Sequence, residues 1–401
     1  MTDGAEPELL RVDVRLHETT KLEVIWNQGE IAHPAYYTDR EMVLARSREV
    51  RDCLQRLVRK VKNEGVQGSG ALLKELAGAG YRLYDALFYR EEGSETDPKE
   101  IRDWLKELGQ NFRIAFRVDH RVHIPWGLVY DVDPTGPTGH PGGDQIHHYE
   151  DFWCFKYLVS TLHSRIYLFG GAYPESADSF KVLMALNRDT FNSASEAPGL
   201  TRPERDILDW IIKKYGDPAY SGRQLIERWN ALEKGVGEKV RLLYIYCHAD
   251  ETSLAFDDVD RLRMYDFKQY LKRDVRGRSD PACLVFLNGC STAVGDPRGG
   301  FLEATGKEGF CGFIGTEVKI PSVFALRFGV AFLYHFFFEG LPILRVMDCL
   351  RREHWPVGLA YGTYCYGALR VIPSAEWPRL VKPEGNFCGN PLGAAELQPR
   401  T

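Results

Sequence analysis

Apolar and polar residues alternate at the start of the chain and then change period. Leu10, Val12, Val14 and Leu16 stand at every second position, and Leu22, Val24 and Trp26 repeat the pattern, which predicts half-buried strands over 10–16 and 22–26. From Glu41 to Lys62 the apolar residues Val43, Leu44, Val50, Leu54, Leu57, Val58 and Val61 fall near helical spacing, predicting an amphipathic helix. Its cations Arg51, Arg56, Arg59, Lys60 and Lys62 alternate with Glu49 and Asp52, so a solvated helix face is expected there rather than a basic patch. Residues 65–70 read as a linker, 71–89 and 99–108 as helices, and 112–118 as a strand.

Farther on the strands become continuously apolar. Runs at 165–169, 180–186, 240–246, 283–287 and 309–315 predict buried strands. Between and after them lie predicted helices at 202–215, 223–232, 264–273 and 324–344, the first opened by Thr201 as cap with Pro203 in its first turn and the last ended by Gly340-Leu341-Pro342. This order predicts an α/β protein, a mostly parallel sheet with helices on both faces, preceded by a short strand-plus-helix N-terminal region. The expected division is an N-terminal unit over 1–68, a main domain over 69–380 and a tail over 381–401, with no solenoid repeat.

Two of the apolar runs end in chemistry. Val240 to Tyr246 delivers Cys247-His248-Ala249-Asp250, and Cys283 to Leu287 delivers Asn288-Gly289-Cys290-Ser291-Thr292. In an open α/β sheet the side chains just past the carboxyl ends of parallel strands project into a crevice that a substrate can enter. A thiol with an ordinary pKa of about 8.5 needs a neighbouring imidazole to take its proton, so His248 and Cys290 are the expected dyad of a cysteine peptidase. The 42 positions from 248 to 290 leave room for one helical crossover. Asn288, Ser291 and Thr292 are expected to stabilise the turn around the thiol.

These residues carry a resemblance. Ile124-Pro125-Trp126-Gly127-Leu128-Val129, Tyr246-Cys247-His248-Ala249-Asp250, Leu254-Ala255-Phe256-Asp257-Asp258, Phe286-Leu287-Asn288-Gly289-Cys290-Ser291-Thr292-Ala293 and the run from Gly309 to Gly315 occur in an order that resembles the CHAT family of caspase-like and separase-like peptidases, over roughly Ser69 to Pro373. The resemblance implies a caspase-like fold, a His248–Cys290 dyad, and an oxyanion hole from the backbone N–H groups of Ala249 and Cys290. Ala249 departs from the family, which has Gly there, and Gly127 stands where the family commonly has Glu. It also implies a latent endopeptidase acting on a protein substrate, switched on by an activating partner or by processing, in bacterial defence or cell death. Residues 133–144 or 188–202 are the expected activation segments.

Pocket acidity would favour a basic side chain before the cleaved bond, and Glu317, Asp250 and Asp258 are the candidates near the strand ends. Two other classes of function fit the same residues: a catalytically silent scaffold on this fold, and a Cys-dependent acyl hydrolase or transferase for small molecules.

Composition narrows the partners. With 401 residues, 44% hydrophobic, 27% charged and a net charge of −5, nothing argues for direct binding of nucleic acid or of a membrane. Nine cysteines without a CxxC pair suit a reducing compartment. The first residues lack an apolar signal core, and Arg327, His335 and Glu339 interrupt the longest apolar segment, so a cytoplasmic protein is expected. Gly68-Ser69-Gly70 lacks the Lys-Ser/Thr of a phosphate loop, and His140, Asp144, His147, His148 and Glu150 read as a solvent loop, so no metal or cofactor is expected.

Overall fold

The alternating N-terminal pattern becomes part of a sheet that reaches well past residue 68. The computed structural model describes residues 8–108, 112–119, 121–134, 149–163, 175–176, 180–195, 199–234, 240–250, 252–257, 259–271, 283–293, 300–307, 310–365, 367–374, 377–378 and 380–383. In it β1 (Leu9–His17) and β2 (Lys21–Gln28) form an antiparallel hairpin, extended on β2 by β3 (Ile31–Ala32) and β4 (Tyr36–Asp39). The alternation buries Leu10, Val12, Val14, Leu22, Val24 and Trp26 on one face. Helix α1 (Arg40–Glu64) starts where the Asp39 carboxylate accepts from the Met42 amide at 2.6 Å, and it packs against α2 (Gly70–Leu87). After α3 (Pro98–Leu108) the chain returns, and β5 (Arg113–Val118) pairs parallel with β1. Beyond the short α4 (Trp153–Lys156), β6 (Leu158–His163) pairs parallel with β5.

The division expected at residue 68 falls inside this sheet. Residues 9–163 share one sheet, because β1 receives its second neighbour from β5 rather than from anything local. The stretch 65–70 is no slack linker either, since Ser69 is buried and its hydroxyl donates to the Val66 carbonyl at 2.7 Å.

The second sheet is the predicted α/β core. Its strands are β8 (Lys181–Leu186), β9 (Val240–Tyr246), β13 (Leu284–Asn288), β14 (Gly312–Thr316) and β15 (Tyr361–Cys365), in the order β15-β14-β13-β9-β8. All neighbours are parallel except β14 and β15. Just before β8 comes β7 (Glu175–Ser176), paired with the distant β16 (Val371–Ile372) after β15, and between β9 and β13 lies a small antiparallel sheet of β10 (His248–Ala249), β11 (Ser253–Ala255) and β12 (Arg261–Arg263). One face buries Leu242, Tyr244, Phe286 and Ile314 against α6 (Arg202–Tyr215), α10 (Ser322–Leu333) and α11 (Ile343–Glu353). The other buries Leu243, Ile245, Val285, Leu287 and Phe313 against α7 (Gly222–Lys234), α8 (Met264–Tyr270) and α9 (Phe301–Lys307). Burial on both faces explains the long apolar runs, which Lys181 and the buried Arg241 interrupt.

The charged residues of the long apolar segment are accommodated by pairing. Arg327 Nε meets the buried Glu204 carboxylate at 2.9 Å, and His335 is buried between Glu339 and Glu353 in a π-helical turn, Tyr334–Phe338, that continues α10. Among the described residues no helix is long and apolar enough to cross a membrane. The Trp126 motif packs the two sheets' junction: its ring stacks on Phe116 with centroids 3.8 Å apart. A β-carbon on Gly127 would stand 3.1 Å from the Cys154 β-carbon, so a longer side chain at that position would crowd Cys154.

Residues 188–195, expected within an activation segment, form helix α5 (Arg188–Ser195). The strand expected at 165–169, most of the loop at 133–144 and its histidines lie outside the described residues.

Candidate active site

Strands β9 and β13 run side by side in parallel and finish level, with Tyr246 opposite Asn288. Two residues beyond that last pair stand His248 on one chain and Cys290 on the other. Neighbouring strands are separated by about 4.8 Å, so the last paired residues, Tyr246 and Asn288, stand one strand spacing apart and the two candidate residues follow on adjacent strand ends. The turn beyond β13 confirms how close these ends are. A β-carbon on Gly289 would lie 2.9 Å from the Cys247 carbonyl oxygen and 3.0 Å from the Ala249 β-carbon. Only glycine fits at 289 while alanine stands at 249.

Cys290 sits in a turn held from several sides. The Thr316 hydroxyl donates to the Gly289 carbonyl at 2.5 Å, and the Thr292 hydroxyl donates to the Leu287 carbonyl at 3.1 Å. Ser291 takes φ 54°, a left-handed conformation that a side chain adopts only when its surroundings enforce it, and its amide donates to the Val318 carbonyl at 3.2 Å. Below the turn Asn288 is fully buried. Its amide nitrogen donates to Tyr244 Oη at 3.0 Å and to the Ala325 carbonyl at 2.7 Å, while its oxygen accepts from Tyr361 Oη at 2.6 Å. Asn288 thus ties the strand end to α10 and β15 rather than capping the turn itself.

The thiol of Cys290 is partly exposed and lies 3.6 Å from the Ile320 carbonyl. Among the described cysteines Cys349 is also partly exposed, but burial first, then the charges of Asp348 and Glu353, push its pKa up to about 11. Cys247, adjacent to the candidate base, is buried, and burial above all drives its thiol far above the ordinary range. Cys290 is therefore the thiol that combines access with a position at a strand end.

His248 is exposed, and no described residue holds its ring by a hydrogen bond. It begins β10, which folds back on β11 and β12 with His248 opposite Ala255 and Ala255 opposite Arg261. Leu254 and Leu262 point into the core, so His248, Arg261 and Arg263 share the outward face. Among the described non-glycine residues, positive φ occurs at Glu18 and Ser291, so the β-carbon of Ala249 sits without strain. The amides of Ser291 and Ala293 are committed to the carbonyls of Val318 and Thr316; that of Cys290 has no such backbone partner among the described residues.

The two described candidates for an acidic pocket, Glu317 and Asp250, are both engaged within the protein. Glu317 is buried; one oxygen accepts from Arg51 Nε at 2.9 Å and the other from Tyr364 Oη. Burial opposes the Arg51 charge, and Glu317 more than restores it, so the carboxylate is neutralised inside the protein. Asp250 closes the β10–β11 turn, accepting from the amides of Thr252 and Ser253 at 2.8 and 2.7 Å and from both hydroxyls. Burial works against its ionised form, but these bonds outweigh it and hold the carboxyl below the usual range. Asp258 lies outside the described residues. The solvated helix face expected for Arg51 is also corrected, because that side chain reaches Glu317 across 266 positions.

The fold defines the class. It is a caspase/separase-like α/β fold: over 91% of this chain it is similar to a chain of the Saccharomyces cerevisiae separase–securin complex solved at 3.0 Å, with a TM-score of 0.51 and 10% identity. This chain spans about 30% of the length of that one. A second structure of the complex, at 2.6 Å, gives a TM-score of 0.48 and 11% identity, again covering 91% of this chain and 30% of the other. No family model matches the sequence, and no curated protein does.

Proposed function

We propose that this chain is a cysteine endopeptidase. The observation that carries the reading is the level termination of the parallel strands β9 and β13, which puts the partly exposed Cys290 and the exposed His248 on adjacent strand ends. In the reaction His248 takes the Cys290 proton as the sulfur attacks the peptide carbonyl, and the oxyanion is received by the amides of Cys290 and Ala249. Collapse breaks the C–N bond, the imidazolium gives its proton to the leaving amine, and water then hydrolyses the thioester with His248 as base. Gating by a protein partner fits the same reading: the separase of similar fold is seen in complex with securin.

Basic specificity has lost its support, since Glu317 and Asp250 are already engaged. On the outward face beside His248, Arg261 pairs with Asp250 at 3.4 Å, and the exposed Arg263 is the cation that favours acidic side chains near the cleaved bond.

Digestion of an unbiased peptide library tests the whole reading. Cuts are expected with the wild-type chain, enriched in Asp or Glu near the bond, and Cys290→Ala and His248→Ala are each expected to lower kcat by at least about a thousandfold without unfolding the protein. Cuts that survive in Cys290→Ala would sink the assignment. Small esters cleaved in preference to peptides would make the protein a small-molecule acyl hydrolase instead.

A further inference from the structure

The segment that follows β14 is gripped from two directions, and one grip comes from the opposite end of the sequence. On the site side, residues 316–320 provide much of the seat of the candidate nucleophile. Thr316 holds Gly289 and Ala293, the Val318 carbonyl holds the Ser291 amide, and the Ile320 carbonyl lies against Cys290 Sγ. On the far side, one face of α1 holds the same segment. Arg51 meets Glu317, and one turn later Gln55 closes a reciprocal pair with the backbone of Lys319: Nε2 donates to its carbonyl at 3.2 Å and Oε1 accepts from its amide at 2.9 Å. The Arg51 guanidinium also donates to the His123 carbonyl, and Glu317 receives the Tyr364 hydroxyl.

We infer that Arg51 and Gln55 are positioning residues for Cys290, acting through the 317–320 segment. The inference rests on the proposed cysteine chemistry for its meaning, but its geometry does not. Neither side chain touches the thiol. Arg51 holds the Glu317 side chain and Gln55 the Lys319 backbone, within the segment whose Ile320 carbonyl lies against the thiol, so the N-terminal sheet and its helix are part of the site. A partner that displaced or braced α1 would act on the nucleophile without entering the crevice.

The residue that isolates this role is Gln55. It is only partly buried, and alanine there keeps the helix, so Gln55→Ala removes the reciprocal pair at little cost to folding. Arg51→Met makes the stronger lesion, but it leaves Glu317 uncompensated in the interior and serves as the second variant only if its melting temperature stays close to wild type. The measurement is the rate at which each cysteine of the full chain is alkylated by iodoacetamide, read by mass spectrometry, beside kcat and KM on any peptide the library yields.

In Gln55→Ala the freed segment lets go of the thiol. Alkylation of Cys290 is expected to rise at least about threefold while Cys349 is unchanged, with kcat falling about fivefold at constant KM. The same alkylation result with no peptide cut by any protein would keep the positioning role and remove the peptidase reading. Unchanged Cys290 alkylation in Gln55→Ala overturns the inference, whatever the kinetics. So does a parallel rise at Cys349 with a lower melting temperature, which would mark a purely structural loss.

Discussion

The two arms that bring the candidate dyad together are built in opposite ways. The Cys290 arm is short and overdetermined: a buried Asn288 below, threonine hydroxyls on both sides, a left-handed Ser291, and Gly289 pressed on the neighbouring chain. The His248 arm is a thin three-stranded sheet whose outer face is open, with His248, Arg261 and Arg263 exposed, and whose β10–β11 turn is closed by Asp250. An attacking atom must arrive at the right place and angle, so its backbone is fixed from every side. A proton carrier tolerates more motion, and local order suffices for it.

The contrast can be broken from the rigid side first. Asn288→Ala removes one side chain and strands two tyrosine hydroxyls and a carbonyl in the core, so it is expected to lower stability by about 3 kcal/mol or more, read by urea unfolding. A result within 1 kcal/mol of wild type, on the order of one ordinary hydrogen bond, would mean that the network beneath Cys290 is slack.

Gly289→Ala comes next. Its methyl meets the Cys247 carbonyl, which is backbone and cannot swing away, so the two strand ends are driven apart. The expected stability loss is about 1–3 kcal/mol with at least a tenfold fall in turnover, and adding Ala249→Gly is expected to restore part of both. No recovery in the double variant would show that the methyl at 249 is not what confines residue 289.

The smallest effect belongs to the His248 arm. Asp250→Ala is expected to cost about 1 kcal/mol at neutral pH, with turnover reduced only severalfold. Because the folded carboxyl is held below its ordinary value of 3.8, its contribution is present above that pH and disappears as pH falls through the lowered folded value. The gap between wild type and variant should therefore begin to narrow only below about pH 4 and close as pH falls through the lowered folded value, and a constant difference down to pH 2 would contradict the hydrogen-bonded turn.

Sequence reading reached the core strands more surely than what surrounds them. Val240 to Tyr246 and Leu284 to Asn288 are legible because a strand buried on both faces must be apolar throughout, and the residues that follow it stand out. Leu158–His163 escapes notice because Ser160 and Thr161 interrupt its pattern. The sheet that crosses residue 68 and the pairing of Glu317 escape sequence reading for one cause. The β1–β5 pairing and the Arg51–Glu317 ion pair join residues far apart along the chain, and an arginine facing a buried carboxylate has the same local spelling as one facing water.

The place of β1 between β2 and β5 also matters while the chain is being made. Its hairpin with β2 can close as soon as residue 28 is free, but its other edge waits for residues 113–118 to emerge. During that interval a ribosome-bound chain displays an unpaired edge beside Leu10, Val12 and Val14, the kind of surface that recruits chaperones or other nascent chains.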